Sequence, residues 1–380
     1  MSAELALDLH KKYFGTTPRT MTFAPGRINL IGEHTDYNGG FVMPAAIDKG
    51  LWVTGRIVDG ETKLISSVAG TTKPFCANTT MPGDASGWAK YPAGMAWALR
   101  DKFGAMPNVE CAVYSTLPTG SGVSSSAAIE MAFGMLWKSL VGFEISPTEL
   151  ALLGQKCENQ YVGVNCGIMD QMASACGKAN HAVFIDTRSL AIEYASVSDQ
   201  YAVLLLDTKK LRALTASAYN ERRSQCEEAA KKMGVELLRD ADLAMLSGAK
   251  SSLSEVVYRR AKHVITEDNR TQEFRSVLAN DDKAGIFALM KGSHDSLRDD
   301  YEVSCPELDA MAESAWVSPG VVGARMTGAG FGGACVALVE RGSVSEFSEV
   351  CLTGYEEKTG KAGDALVCSI EDGARILEVQ

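Results

Sequence analysis

The sequence has 380 residues, of which 46% are hydrophobic, and its formal net charge is −10 at pH 7. A chain of this length and composition can bury a large core and form two domains, whereas its net negative charge disfavours binding to nucleic acid or to an anionic membrane. We therefore expect small-molecule partners, with any anionic ligand arriving as a metal complex.

The ten cysteines contain no Cys-x-x-Cys pair, and their spacings are unlike those of a zinc site. We therefore expect reduced thiols and a cytoplasmic protein. Residues 1–14 have the pattern of an amphipathic helix rather than of a signal peptide. The longest strongly apolar run, around residues 202–206, is too short to span a membrane, so the sequence predicts no membrane partner.

A dense polar segment follows a short strand that we predict at residues 21–23. It reads Ala-Pro-Gly-Arg-Ile-Asn-Leu-Ile-Gly-Glu-His-Thr-Asp-Tyr-Asn-Gly-Gly over residues 24–40. Its donors and acceptors suit a ligand with many hydroxyl groups, because each carboxylate can accept two hydroxyl hydrogen bonds. The alternative is a polar loop in which Asn29 and Asp36 only complete local turns.

Two aromatic residues open the next predicted helix. We expect two strands joined at Asp59-Gly60 over residues 47–67, followed by a helix over residues 88–101. Trp88 and Tyr91 lie three residues apart on that helix and could form one wall of a flat pocket for a nucleotide base. Aromatic residues at helical spacing are also typical of a hydrophobic core, so both interpretations stay open at this point.

A glycine- and serine-rich stretch over residues 117–129, Leu-Pro-Thr-Gly-Ser-Gly-Val-Ser-Ser-Ser-Ala-Ala-Ile, joins a predicted strand at 109–116 to a predicted helix at 125–140. Gly120 and Gly122 allow positive φ, and the serines can cap the helix. The unpaired N–H groups of a helix start favour an anion, which predicts a phosphate cradle. A capped helix after a glycine turn is the alternative. Because no Lys-Ser or Lys-Thr pair follows the glycines, a Walker A P-loop is excluded.

Two carboxylates follow the predicted cradle. Within a helix expected at residues 147–160, Glu158 is either a candidate Mg²⁺ ligand or an ordinary exposed helix residue. Asp170 comes after a glycine-containing turn, at the start of a short apolar helix predicted at residues 169–175. An acid in this position is either an N-terminal charge cap or a positioned base.

The second half of the chain contains a further glycine-rich segment. Gly328, Gly330 and Gly333 satisfy the dinucleotide-binding pattern G-x-G-x-x-G, but a strand pattern continues after them, so no helix start would face a pyrophosphate. We expect instead a glycine hinge between two strands that lies against the phosphates or the sugar. We predict strands at 181–186, 191–194, 201–207, around 326–338 and at 365–370, and helices at 219–232, within 254–316 and at 344–357.

Three stretches, residues 25–38, 117–128 and 326–333, together resemble the three motifs of the GHMP small-molecule kinases. The first, with Gly-Arg-Ile-Asn-Leu-Ile-Gly-Glu-His-Thr-Asp-Tyr-Asn, resembles the galactokinase signature in particular. Residues 166–171 and 299–308 are also similar to galactokinases, so the resemblance covers almost the whole chain.

The resemblance implies an α+β protein of the two-domain GHMP kinase architecture, with the active site in the interdomain cleft. Residues 1–195 would form an N-terminal domain like ribosomal protein S5 domain 2, and residues 196–380 a ferredoxin-like C-terminal domain. The implied activity is ATP-dependent phosphorylation of α-D-galactose at the anomeric hydroxyl, with Mg²⁺, to give galactose 1-phosphate and ADP. Galactose and MgATP are then the expected partners, and we expect a monomer.

The resemblance also implies a role for each matching residue. Asp170 would be the catalytic base, because an anomeric hydroxyl is too weak an acid to ionise unaided at neutral pH. Arg27 would stabilise the negative charge of the sugar oxygen and of the transferred phosphoryl group. The other implied sites are Glu33, His34, Thr35, Asp36, Gly167 and Tyr219 for the sugar; Gly120, Ser121, Gly122, Val123, Ser124, Ser125 and Ser126 for the nucleotide phosphates; Trp88 for the adenine; and Ser126 and Glu158 for Mg²⁺.

One segment departs from the family pattern. Residues 211–218, Leu-Arg-Ala-Leu-Thr-Ala-Ser-Ala, stand where many galactokinases have a polar stretch with His or Ser, which affects the sugar contacts expected from this segment. The alternative functions are an N-acetylgalactosamine kinase and a catalytically silent galactose sensor of the same fold. A sensor would have no need to retain Asp170 and Arg27, and their presence favours an enzyme.

Overall fold

The computed structural model describes residues 2–211 and 215–379, so that positions 212–214 of the departing segment lie outside the described residues. The helices, in chain order, are α1 (Ser2–Phe14), α2 (Lys90–Phe103), α3 (Ser125–Val141), α4 (Pro147–Lys156), α5 (Met169–Cys176), α6 (Thr215–Met233), α7 (Leu243–Gly248), α8 (Glu255–Ala279), α9 (Lys283–Asp299), α10 (Pro306–Trp316) and α11 (Val344–Thr359). The strands are β1 (Thr20–Asn29), β2 (Phe41–Val42), β3 (Pro44–Ile57), β4 (Lys63–Ser66), β5 (Gly70–Thr71), β6 (Val109–Ser115), β7 (His181–Asp186), β8 (Ile192–Ser196), β9 (Tyr201–Lys210), β10 (Val321–Met326), β11 (Gly333–Glu340), β12 (Asp364–Cys368) and β13 (Arg375–Leu377).

A mixed sheet with the strand order β13-β1-β3-β6-β4-β5 underlies the first half of the chain. Strand β1 is buried along its whole length, and α3 and α5 pack against it. The register between β1 and β3 shifts between Pro25 and Arg27. Proline has no N–H to donate and is tolerated at such an irregularity, which also turns the side chains that follow it. The shift therefore lies immediately before Arg27, the residue that the sequence predicts in the site.

An antiparallel sheet with the order β10-β11-β9-β12 forms the centre of the second half. Successive side chains of a strand point to opposite faces, and β9 follows this rule. Leu204 and Leu206 join a core with the helices of the second half, whereas Val203 and Leu205 join the core that continues into the first half. One face of this sheet thus holds the two halves together.

The chain end crosses back to the first half. Residues 375–377 form β13, which pairs antiparallel with β1, Met21 lying opposite Leu377. Helix α8 also reaches across, since Glu267 accepts a 3.0 Å hydrogen bond from the backbone N–H of Gly32. A third, small sheet has the order β2-β7-β8. The predicted division of the chain after residue 195 stays a prediction.

The α+β class is confirmed, and most predicted elements lie close to their observed bounds. Three details were wrong. The strand predicted at residues 21–23 extends to Asn29, into the first part of the polar signature. Trp88 lies in a 3-10 turn before α2 and not on the helix. The helix predicted at 147–160 changes after Lys156 into a π-turn, Cys157–Val162, which contains Glu158. Among the described residues, no helix combines the length and the apolar character that a membrane crossing requires.

Candidate active site

A cavity of about 450 Å³ opens between the two halves, at the end of β1 and the start of α3 and α5. Polar and apolar groups share its wall, and the second half of the chain contributes the glycine turn between β10 and β11. The residues that line it are Arg27, Glu33, His34, Asp36, Tyr91, Ser125, Ser126, Glu158, Val164, Cys166, Gly167, Met169, Asp170, Tyr219, Gly328 and Ala329.

Arg27 and Asp170 form an ion pair in this cavity. The guanidinium Nε of Arg27 donates a 2.8 Å hydrogen bond to Oδ1 of Asp170. The Arg27 side chain is 4% exposed, whereas that of Asp170 is 30% exposed, so the carboxylate is the partner that meets solvent or a ligand. A second donor, Nη1 of Arg27, binds the carbonyl oxygen of Gly122 at 2.6 Å. The pair is therefore attached to the glycine- and serine-rich loop.

The hydroxyl of Ser124 donates a hydrogen bond to the other oxygen of Asp170, Oδ2. Ser124 has φ 57° and ψ 55°, in the left-handed region, and its side chain does not cap α3. Asp170 itself lies in the first turn of α5. Both carboxylate oxygens of the predicted base thus have a protein partner.

Glu33 lines the cavity next to the glycine turn of the second half. Its Oε1 accepts a 2.6 Å hydrogen bond from the backbone N–H of Gly328 and lies 3.5 Å from Nη1 of the buried Arg325. Burial raises the pKa of Glu33, and the nearby Arg325 and Arg27 oppose that rise. The glycine turn of the second half is therefore joined directly to the polar signature of the first.

Burial favours the neutral form of His34. Burial, and then the neighbouring His263, lower its pKa to about 3. Its Nε2 lies 3.2 Å from the carbonyl oxygen of Ala329, which can only accept, so Nε2 carries the proton. Nδ1 then accepts the 2.8 Å hydrogen bond from the Tyr37 hydroxyl. Tyr219 lies beside this group, with its ring centroid 5.6 Å from that of His34.

Asp36 lines the same cavity as Asp170. Burial, and then the charge of Asp170, raise the pKa of Asp36 to about 6. Its carboxylate accepts hydrogen bonds from the backbone N–H groups of Met169, at 3.4 Å, and Tyr37, at 3.0 Å. A Cβ atom at Gly167 would overlap this carboxylate. The close approach of the two segments therefore explains why position 167 has no side chain.

Two residues predicted to contact ligands have side chains that point elsewhere. The Thr35 hydroxyl is buried and donates to the carbonyl oxygens of Gly32 and Phe41, at 2.9 and 2.7 Å. Ser121 is also buried, and its hydroxyl donates a 2.7 Å hydrogen bond to Asp207 at the end of β9. Both hydroxyls therefore bind the protein, and the assignment of Thr35 to the sugar and of Ser121 to the phosphates stays a prediction.

The rest of the loop presents backbone and hydroxyl groups to the cavity. Gly120 and Gly122 have φ of 81° and 75°, as the predicted turn requires. The Val123 side chain is buried in the core, and its carbonyl oxygen accepts the N–H of Arg27 at 3.1 Å. Ser125 and Ser126 open α3 and line the cavity. The predicted phosphate contacts of the loop stay a prediction.

Glu158 is 7% exposed and lines the cavity opposite Ser126. Its Oε2 accepts hydrogen bonds from Nε2 of Gln171, at 2.8 Å, and from the thiol of Cys166, at 3.3 Å. Burial and the charge of Asp170 raise its pKa, which the Ser126 side chain opposes. None of the ion pairs within residues 2–211 and 215–379 involves Glu158, so a cation beside it would offset the cost of its burial.

Trp88, the residue predicted to contact the adenine, does not line the cavity, whereas Tyr91 does. The Trp88 ring packs against the core, and its indole nitrogen is buried without a hydrogen-bond partner among the described residues. The assignment of Trp88 to the adenine stays a prediction.

Sequence reasoning missed three residues that support the site. Gln171 also donates a 3.1 Å hydrogen bond to Glu130, a buried acid on α3 whose pKa is raised well above its usual value by burial and by Glu158. Arg325 is a fully buried cation in β10 next to Glu33. A sequence signal existed for two of them, since Glu130 is the single acid of an apolar helix and Arg325 interrupts an apolar strand.

Three family descriptions match the chain. Residues 8–57 match the galactokinase galactose-binding signature, residues 90–178 the N-terminal domain of GHMP kinases, and residues 274–354 the C-terminal domain of GHMP kinases. These ranges contain most of the cavity-lining residues described above. The expected GHMP architecture is confirmed.

Curated relatives and solved structures extend the similarity over the full length. A galactokinase of Haemophilus influenzae (strain Rd) is 39% identical over 378 residues, which is 98% of each chain. A galactokinase of Glaesserella parasuis serovar 5 is 38% identical, over 98% of this chain and 99% of its own. The crystal structure of Lactococcus lactis galactokinase complexed with galactose superposes with a TM-score of 0.93 at 36% identity, over 99% of this chain and 100% of that one. The Methanococcus jannaschii mevalonate kinase, at 19% identity and a TM-score of 0.66, shares the fold.

Proposed function

The chain belongs to the galactokinase family, and we propose that its cleft uses ATP to phosphorylate galactose on the anomeric hydroxyl, with Asp170 as the base and Arg27 as the cation. The observation that carries this proposal is the Arg27–Asp170 pair, which lies in a cavity bounded by the polar signature on one side and by the start of α3 on the other. The products are galactose 1-phosphate and ADP.

Asp170 acts on the anomeric hydroxyl of the sugar, which is too weak an acid to lose its proton at neutral pH without a base beside it. In the proposed step, the anomeric oxygen forms a bond to the γ-phosphorus of ATP, the bond from that phosphorus to the β–γ bridging oxygen breaks, and the sugar proton passes to Asp170. Because phosphoryl transfer has a loose transition state, much of the catalysis comes from positioning and from charge stabilisation. Arg27 supplies positive charge at the reacting centre.

The sugar site is supported by the donors and acceptors around the ring position. Asp36 and Glu33 are acceptors for hydroxyl groups. Tyr219 offers an apolar ring and a hydroxyl that can form hydrogen bonds. Gly167 leaves the space in which the Asp36 carboxylate lies. His34 contributes a neutral ring whose two nitrogens are already engaged, so we assign it to the shape of the pocket. Buried groups of this kind discriminate strongly against a sugar that lacks the matching hydroxyl.

The nucleotide site is supported by the loop before α3. Helix starts attract phosphate groups through unpaired backbone N–H groups and the helix dipole, and Ser125 and Ser126 add hydroxyls on the cavity side. The donor set of Ser126 and Glu158 fits Mg²⁺, which typically takes one or two protein oxygens and completes its shell with substrate phosphates and water. Bound there, Mg²⁺ would neutralise the charge of the β- and γ-phosphates. The metal assignment is part of the proposal.

We also propose that the protein is a cytoplasmic monomer that binds neither nucleic acid nor membranes. All ten cysteines are free thiols in the structure, which agrees with a reducing compartment. The net charge of −10 disfavours nucleic acid and anionic membranes.

The proposal is tested by turnover of a panel of sugars under saturating MgATP, with ADP release as the readout. Galactose should give the largest kcat/KM, above N-acetylgalactosamine, glucose, talose and arabinose. A higher value for N-acetylgalactosamine would reassign the substrate. Tight galactose binding by calorimetry without ADP release would identify a sensor and refute the proposed catalysis.

A further inference from the structure

Ser124 immediately precedes α3, at the N-cap position, where a serine side chain normally accepts a hydrogen bond from the helix N-terminus. Such a cap residue has extended backbone angles. Ser124 instead has φ 57° and ψ 55°, and its side chain makes no cap hydrogen bond. Residues other than glycine adopt the left-handed region at an energetic cost, and such strained positions are concentrated at functional sites. The backbone thus favours glycine at 124, while the chain has a hydroxyl there.

The hydroxyl that this conformation presents binds the carboxylate of Asp170. It donates to Oδ2, while Nε of Arg27 donates to Oδ1. Two hydrogen bonds on two different oxygens fix the plane of a carboxylate, because rotation about its last side-chain bond would break both. With either donor alone, the carboxylate could still turn about the remaining bond.

Both donors depend on the loop segment 122–124, since Arg27 is attached to it and Ser124 is part of it. Arg27 is attached through its side chain to the carbonyl oxygen of Gly122 and through its backbone N–H to that of Val123. Ser124 is the next residue of the loop. The segment 122–124 therefore sets the position of the carboxylate relative to the start of α3, which is the proposed phosphate site.

We infer that Ser124 is a positioning residue for the Asp170 carboxylate, rather than a phosphate ligand, and that it aligns the base with the phosphoryl donor. This inference depends on the proposed function. Ser124 keeps its own proton throughout, since the proton that leaves the sugar goes to Asp170. Misplacement of a reacting group by about 1 Å can lower the rate by about 100-fold without weakening substrate binding.

Two substitutions at position 124 separate this role from a structural one. In Ser124→Gly the backbone strain is relieved and the hydroxyl is lost. In Ser124→Thr the hydroxyl is kept, but a β-branched residue is placed at positive φ, where it is strained. We expect S124G to have an unchanged or raised melting temperature and a kcat about 10- to 100-fold lower, with the KM for galactose and for MgATP within about twofold of the unsubstituted protein. We expect S124T to have a lower melting temperature and a kcat close to normal.

A purely structural role makes the opposite prediction, because activity would then follow stability, and such a result would overturn the inference. Ser124→Ala, which also lacks the hydroxyl, should reproduce the kcat of S124G, and it provides the second variant if S124T does not fold. Asn180 is the matched control: it is exposed, has φ 61° and lies outside the cavity. Asn180→Gly should leave kcat and both KM values unchanged.

Asp170→Asn, measured in parallel, separates this inference from the proposed function. An active D170N protein would refute the base and the role of Ser124 with it. An inactive D170N protein together with a normal kcat for S124G, or a raised KM for MgATP in S124G, would refute only the positioning role. In the D170N background, S124G should cause no further loss of kcat, because the two substitutions then remove the same interaction.

Discussion

Nε of Arg27 and Oδ1 of Asp170 lie 2.8 Å apart, although 143 positions separate the two residues in the chain. The pair joins the end of a fully buried strand to the first turn of α5. Neither residue alone could both receive a proton and stabilise an oxyanion. In the proposed reaction, their contact would provide both functions at one point of the cleft.

Replacing Asp170 by Asn should lower kcat by about 10²- to 10⁴-fold, the range that general bases contribute. An amide keeps an oxygen that can accept from Arg27 but is not a useful proton acceptor at neutral pH. Circular dichroism and the melting temperature should show a folded protein, and galactose should still bind in calorimetry. A kcat within threefold of normal would show that another group takes the proton.

Replacing Arg27 by Lys preserves the charge but not the geometry. An ammonium group cannot reproduce the directions in which the guanidinium contacts Asp170 and Gly122. We expect kcat to fall by about 10²- to 10³-fold, as for loss of a preorganised group at a developing charge. Steady-state kinetics would measure it, and equal activity of R27K and the unsubstituted protein would show that charge alone suffices.

Asp36 should make stability depend on pH. Its pKa is raised from 3.8 to about 6 in the folded protein, so its ionisation opposes folding. This carboxyl therefore contributes most to stability below pH 4, and the contribution is lost as the pH rises through 6. In Asp36→Asn the side chain stays neutral at every pH. Between pH 4 and pH 8, the variant's free energy of unfolding should therefore rise relative to that of the unsubstituted protein by up to about 3 kcal/mol.

Urea unfolding of both proteins at pH 5, 6, 7 and 8 measures this difference. The same substitution should raise the KM for galactose, because a charged acceptor is lost from the sugar site. A stability difference that is constant over this pH range would show that Asp36 has an ordinary pKa in the folded protein.

Gly167 should tolerate no side chain. In Gly167→Ala the new methyl group would overlap the Asp36 carboxylate and displace it, so we expect the KM for galactose to rise by at least about tenfold, roughly 1.4 kcal/mol, with little change in the KM for MgATP. Gly292→Ala in α9 is the matched control, because a Cβ there meets only an ordinary contact at 3.7 Å, with Arg270. It should leave both KM values unchanged.

Glu158→Gln tests the proposed metal ligand without relying on turnover. The amide retains the size of the side chain but not its charge. Calorimetry should show that E158Q binds ADP with normal affinity in the absence of Mg²⁺. The increase in ADP affinity that Mg²⁺ causes should be about 10- to 100-fold smaller in E158Q than in the unsubstituted protein. If Mg²⁺ strengthened ADP binding equally in both proteins, Glu158 would not be a metal ligand.

The sequence predicted the elements and the position of the cleft residues well where local patterns determine them. The glycine loop and the helix after it are an example, because positive φ at Gly120 and Gly122 and the apolar spacing of α3 are local properties. The pairing of Arg27 with Asp170 was not accessible to local reasoning. It came from the family resemblance, since a contact over 143 positions depends on the packing of β1 against α5.

Side-chain directions within the motifs were the least predictable part. Three serines of one loop have different roles: Ser121 binds Asp207, Ser124 binds Asp170 and Ser126 faces the cavity. All three are small and polar, and the sequence gives no sign of which way each hydroxyl points. Their partners come from β9 and α5, and only the assembled fold shows them.

The pairing of β13 with β1 affects how this protein can fold during its synthesis. The strand that carries Arg27 is synthesised long before its partner at residues 375–377. The edge of β1 next to β13 therefore stays unpaired until residues 375–377 have been synthesised, and pairing it closes a long loop between distant segments. A nascent chain released before residue 375 would keep Arg27 and Asp170 but lack the strand that pairs with β1.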